Sequence, residues 1–182
     1  MSDVDLFATA LREQMPEIDG FRPFVCDGSP LDCRVFIVGC NPATDTGTPF
    51  WRYWREGYGF DRATWEIDYR STRSSRGQRE VSNTRLAITV LAESCAPLKC
   101  LEANVYAKPT KTQSDLAGGD TSNSLLDFLV SRIRPQWIVA HGQIATKAVS
   151  RIEFDGVVLS GKHLRLRSHD ELRRLGNEIS NT

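Results

Sequence analysis

Apolar residues along this chain gather in short continuous runs that alternate with stretches of helical spacing, the pattern of βα units building a mostly parallel sheet. Four runs read as strands: Val35 to Val38 ending at Gly39, Cys100 to Val105, Trp137 to Ala140, and Val157 to Leu159. Their apolarity is continuous rather than alternating, so both faces are expected to be covered, as in a three-layer α/β/α sandwich around a central four-stranded parallel sheet. Helices are predicted between them. Leu6, Ala10 and Leu11 mark one over Asp5 to Met15; Ser82 or Asn83 caps a second through Leu86, Val90 and Leu91; Ser122 or Asn123 caps a third through Leu125, Leu129 and Ile133. Gln143 to Ile152 and Asp170 to Ile179 complete the set, while Thr44 to Pro49, Asp68 to Arg79 and Lys108 to Asp120 look least regular. Neither an internal repeat nor a long linker interrupts residues 1–182, so one domain is expected.

In such sheets ligands bind outside the carboxyl ends of the strands, which directs attention to the residues just after each run. No GxGxxG, Walker loop or GxSxG elbow is written there. The loop GCNPATDTG instead runs into PFWRYW and sets Asn41 and Asp45 beside four aromatic residues. A carboxamide can read the edge of a flat heterocycle with a donor and an acceptor, and an aromatic ring can stack on its face. Phe50 or Trp51 is the stacking candidate; the competing reading is that the cluster packs the core. Asn104, a carboxamide inside an apolar run, needs a partner and is read as binding a ligand. Asn41 before Pro42 has the competing reading of a loop-shaping residue.

Composition narrows this picture modestly. Hydrophobic residues make up 40% and charged residues 25%, ordinary values for a globular domain. With no long apolar run and no secretory signal at the start, a soluble, cytosolic or nuclear protein without a membrane partner is expected. Net charge is zero, so any attraction to nucleic acid must be local. Arg70, Arg73, Arg76 and Arg79 recur every third residue in a Ser/Gly-rich stretch, with Arg85 following, and suit phosphate oxygens; the alternative is a solvated loop. Five cysteines without a CxxC pair read as reduced thiols, with a cluster or metal drawn from Cys26, Cys33, Cys95 and Cys100 as the alternative.

With Gly39-Cys40-Asn41-Pro42-Ala43 after the first run, Asn104 in Leu101 to Val105 and Arg134 to Gly142 around the third run, the strand ends resemble the uracil-DNA glycosylase superfamily, nearest to its mismatch-specific and single-strand-selective branches. Gly39-Cys40-Asn41-Pro42-Ala43 is similar to the superfamily's G-x-N-P-G motif, with Ala in place of the last Gly. Leu101 to Val105, with Lys108-Pro109 beyond, looks like the strand that bears its base-reading Asn, here Asn104. Leu125 to Leu129, Arg134 to Gly142 and Ala145 are similar to its next helix and strand. Gly161-Lys162-His163-Leu164-Arg165 stands where the family has His-Pro-Ser, and lacks the Pro and Ser.

The resemblance implies hydrolysis of the N-glycosidic bond of uracil or a related damaged base after base flipping, on single- or double-stranded DNA. Asn41 would orient the water, with Asp45 as a second candidate; His163 would stabilise the departing base. Asn104, Phe50, Trp51, Gly39 and Pro42 would form the base pocket, while Arg70, Arg73, Arg76, Arg79 and Arg165 would hold the DNA backbone. No cofactor or metal is implied, because Ser122 to Leu125 lacks the cysteine of iron-sulfur members, and no protein partner is inferred. A non-catalytic nucleic-acid or nucleotide binder is the second reading, and a hydrolase of free nucleosides the third.

Overall fold

The computed structural model describes residues 2–15, 20–110 and 124–182. A five-stranded sheet runs through it in the order β1 (Phe24–Val25), β5 (Lys99–Asn104), β2 (Cys33–Gly39), β6 (Trp137–His141), β7 (Val157–Gly161). The last four are mutually parallel and coincide with the four runs of the sequence; β1 adds a short antiparallel edge on β5. The sheet is therefore mixed, a correction that a two-residue strand could not announce through periodicity.

Successive side chains of a strand point to opposite faces, so the apolar runs feed two cores at once. Phe36, Val38, Leu101 and Ile138 pack toward α1 (Asp3–Gln14), α4 (Ser124–Ile133) and α5 (Gln143–Val149). Val35, Ile37 and Val139 pack toward α3 (Asn83–Ser94) and α6 (His169–Ser180). Helices thus cover both faces. Ser82 caps α3 by accepting from the Arg85 amide, and Ser168 caps α6 in a reciprocal box with Glu171. The predicted caps Ser122 and Asn123 lie outside the described residues. Strand β7 departs from expectation: Val157 and Val158 are exposed, because β7 is the other edge of the sheet and only partly covered.

One further segment is new and another differs from the sequence reading. The aromatic stretch makes a single 3-10 turn, Phe50–Tyr53, then a small hairpin of β3 (Trp54–Arg55) and β4 (Gly59–Phe60). Residues 68–75, expected to be irregular, belong to helix α2 (Arg62–Ser75), which buries Trp65 and Tyr69 at i, i+4 spacing despite its Ser- and Arg-rich exposed side. No helix among the described residues is long and apolar enough to cross a membrane.

Candidate functional site

Strand register places the chemistry. Gly39, Asn104 and His141 end β2, β5 and β6, and Gly39 is paired directly with Asn104. All three belong to the face covered by α3 and α6, since Val35 and Ile37 precede Gly39 at period two and Val139 precedes His141. Gly39 is what lets its neighbours meet: a Cβ there would lie 3.0 Å from Asn104 Oδ1 and 3.0 Å from His141 Nε2. The two polar side chains thus face each other across a strand without a side chain.

Above them opens a cavity of about 400 Å³. Asn41, Asn104, His141 and His163 line it, with Gly39 and Pro42 in its wall and Arg73 and Arg165 also lining it. The two carboxamides, drawn from different βα junctions, therefore share one opening. Asn41 donates from Nδ2 to Thr110 Oγ1 at 2.7 Å, to Thr110 O at 3.1 Å and to Pro42 O at 3.4 Å. That leaves its Oδ1 as an acceptor for a ligand or water. Asn104 is 91% buried, and its Nδ2 has no hydrogen-bond partner among the described residues. An orphaned amide of this kind costs about 1–3 kcal/mol until something outside the fold pairs with it.

His163 begins the 3-10 turn Leu164–Leu166, where its Nδ1 accepts the Arg165 amide at 3.3 Å. Burial and then Arg165 hold its pKa below the ordinary histidine value, so the ring is neutral at pH 7 and carries its proton on Nε2. His141 stands edge-on to it, ring centres 4.7 Å apart. Burial, reinforced by His163, lowers His141 to about 4, and its Nδ1 has no partner. His141 was not singled out from the sequence, although its place at a strand end before Gly142 was the available signal.

The floor carries an ionic group that was not anticipated. Glu102, two residues before Asn104 on the same face of β5, accepts both terminal nitrogens of Arg85 from α3, Nη2 to Oε1 at 2.8 Å and Nη1 to Oε2. Burial alone would raise the Glu102 pKa, but Arg85 and then Arg22 outweigh it and hold the carboxylate ionised. Arg22 comes no closer than 3.7 Å to Glu102, and burial pulls its pKa down to about 10. Arg22 and Arg85 lie over the Trp65 ring, 5.2 and 4.7 Å from its centre. A glutamate interrupting an apolar run was the sequence signal for a buried pair; its partners, 17 and 80 residues away, were not legible.

Other predicted residues lie elsewhere. Asp45 is exposed, accepts the Gly47 amide at 2.8 Å within a local turn, and does not line the cavity. Phe50 is 3% exposed and packs face-on against Phe60, ring centres 5.3 Å apart. Trp51 is covered by the Arg12 guanidinium at 3.8 Å. Neither ring reaches the cavity, whose aromatic surfaces are Tyr69 and the two imidazoles. Of the arginine series, Arg73 lines the cavity and donates to Thr44 Oγ1 and to Arg79 O. Arg76 donates to the Asp45 carbonyl, Arg79 to Asn83, and Arg70 lines a separate groove of about 510 Å³. The series is thus split between a helix and the turn after it, and three of its members tie that corner together.

All five cysteines are free, and no group of three or more His, Cys, Asp or Glu among the described residues is placed to hold a metal ion. Neither a protein-family model nor a curated protein sequence matches the chain.

Proposed function

We propose that this protein is a DNA glycosylase that hydrolyses the N-glycosidic bond of uracil or a related damaged or mispaired base flipped into the cavity. The observation that carries the reading is the shared opening of Asn41 and Asn104, one with an acceptor to spare and the other with an unpaired amide. Asn104 pairs with the carbonyl and imino edge of the base, and an analogue with the wrong pattern leaves it buried and unpaired. Asn41 Oδ1 orients the attacking water by hydrogen bonding without removing a proton, which suffices when the sugar has become oxocarbenium-like. Neutral His163 donates from Nε2 to the base oxygen on which negative charge develops. Arg73 and Arg165, which also line the cavity, take the flanking phosphates.

Binding without cleavage is the second reading, and one observation favours it. Glu102 is the only carboxylate lining the cavity among the described residues, and it is held by Arg85. With Asp45 outside, no unpaired carboxylate among the described residues supplements Asn41 as general base. The test uses labelled single- and double-stranded oligonucleotides containing one uracil, followed by alkali. Strand cleavage that falls at least about 100-fold in Asn41→Ala supports the enzyme; retention of DNA without cleavage by the unaltered protein supports the binder and ends the glycosylase reading.

A further inference from the structure

Arg22 is the feature of the cavity that base excision leaves unused. It lines the opening yet is only 8% exposed. Its one acidic neighbour among the described residues, Glu102 at 3.7 Å, already accepts two hydrogen bonds from Arg85, and no side-chain hydrogen bond from Arg22 to a described residue is made. Its Nε is sealed from water without a partner, which is costly for a guanidinium, and its terminal nitrogens make no hydrogen bond to a described residue. Arg85 is the internal control: the same carboxylate and the same Trp65 ring, but a bidentate pair, and a pKa that Glu102 raises against the effect of burial. The surroundings add to the imbalance. Among the described residues four arginines (Arg22, Arg73, Arg85, Arg165) line the cavity against the single carboxylate of Glu102, and His141 and His163 are neutral at pH 7.

We propose that Arg22 receives an oxyanion carried by the ligand, so that the cavity prefers an acidic ligand, bearing a carboxylate or phosphate beside its flat ring, over a neutral one. This rests on the cavity being the ligand site but not on bond cleavage. A forked guanidinium matches the paired oxygens of either group, and the oxyanion supplies the counter-charge that Glu102 does not. Asn104 and Arg22 then divide recognition: the amide reads the ring and the guanidinium reads its charge.

Titration calorimetry at pH 7 with uracil, uracil-5-carboxylate and orthophosphate tests this on the whole chain. Uracil-5-carboxylate is expected to bind at least about tenfold more tightly than uracil, and Arg22→Gln to erase that difference. Because the Arg22 side chain makes no hydrogen bond to a described residue, Arg22→Gln is expected to melt at the same temperature or higher. Orthophosphate binding that Arg22→Gln abolishes also supports the oxyanion site and names phosphate as the source. Should Arg22→Gln not fold, Arg22→Lys decides: it keeps the charge but not the fork, so the preference for the carboxylated ring falls if the proposal holds and is unchanged if Arg22 is purely structural. Equal affinity for uracil and both anions, or a preference that survives Arg22→Gln, overturns the proposal. Loss of the glycosylase reading alone would appear as uncut oligonucleotides with the anion preference intact.

Discussion

The aromatic layer around Phe50 and the cavity floor around Asn104 are both buried, yet they treat polar atoms in opposite ways. In the first, rings meet rings at 5.1 to 6.4 Å, and the hydroxyl that reaches out of the layer is paired, Tyr53 donating to Asp68 at 2.9 Å. In the second, side chains of Asn104, His141 and Arg22 each keep a polar atom without a partner among the described residues. A fold that satisfies one buried region and leaves the other wanting has spent the first on stability and reserved the second for something that arrives from outside. The two regions also differ in origin. The aromatic layer is made by α1, the β3–β4 hairpin and the turn before it, whereas the floor is made by the ends of parallel strands, where register rather than packing decides which residues meet.

The harshest way to strain this comparison is to damage the layer. Phe50→Ala removes a ring 97% buried between Phe24, Phe60 and Trp54, and is expected to destabilise the protein by about 3–5 kcal/mol in urea unfolding. Below its lowered transition, affinity for uracil or carboxylated uracil should be unchanged. A selective loss of ligand binding with stability intact would return Phe50 to the site and erase the distinction drawn between the two regions.

How far each region could be read in advance follows from the same contrast. Strands β2, β5 and β6 were legible because their central positions are buried on both faces and form nearly continuous apolar runs, broken in β5 by Glu102 and Asn104. Strands β1, β3 and β4, two residues each, are too short to carry any period. Asn41 and Asn104 stood out because a carboxamide at a strand end is dear to bury. Phe50 and Trp51 misled for a physical reason: aromatic residues in one local cluster look alike whether their rings meet a ligand or one another. Helix α2 was obscured by Ser and Arg on its solvent side and by an exposed Ile67, its buried apolar residues being only Trp65 and Tyr69. The ionic floor was the least visible, since nothing along the chain states that residues 22, 85 and 102 converge. Only the isolated acid in the apolar run of β5 hinted that they must.

A milder probe titrates the floor. His141 is neutral in the folded protein with a pKa of about 4, against about 6.5 when unfolded, so the unfolded chain takes up the proton first as the pH falls. Stability is therefore full above about pH 6.5 and declines toward pH 4, by at most about 3 kcal/mol, levelling off once both states are protonated. His163, depressed by burial and by Arg165, contributes in the same direction, while Glu102 on β5, with β2 between, opposes the His141 shift. Urea midpoints measured from pH 7.5 to 4.5 should fall more steeply in the unaltered protein than in His141→Phe. Parallel curves would mean that the imidazole is not the group holding out against protonation.

The smallest effect is the most discriminating because it predicts a change of sign. Tyr53→Phe deletes a hydroxyl that is paired, leaves Asp68 short of a donor, and should cost about 1 kcal/mol. Asn104→Leu deletes a carboxamide whose amide nitrogen is unpaired and puts an apolar side chain of similar size beside Gly39, so it should gain about 1 kcal/mol while abolishing ligand binding. Thermal unfolding of the two variants side by side reads the difference directly, with calorimetry on uracil as the functional arm. If Asn104→Leu instead loses as much as Tyr53→Phe, the amide is already satisfied within the folded protein, and the floor is ordinary core. If it gains stability and loses ligand, the fold is carrying a deficit at Asn104 that binding alone makes good, which is the signature of a residue kept for recognition.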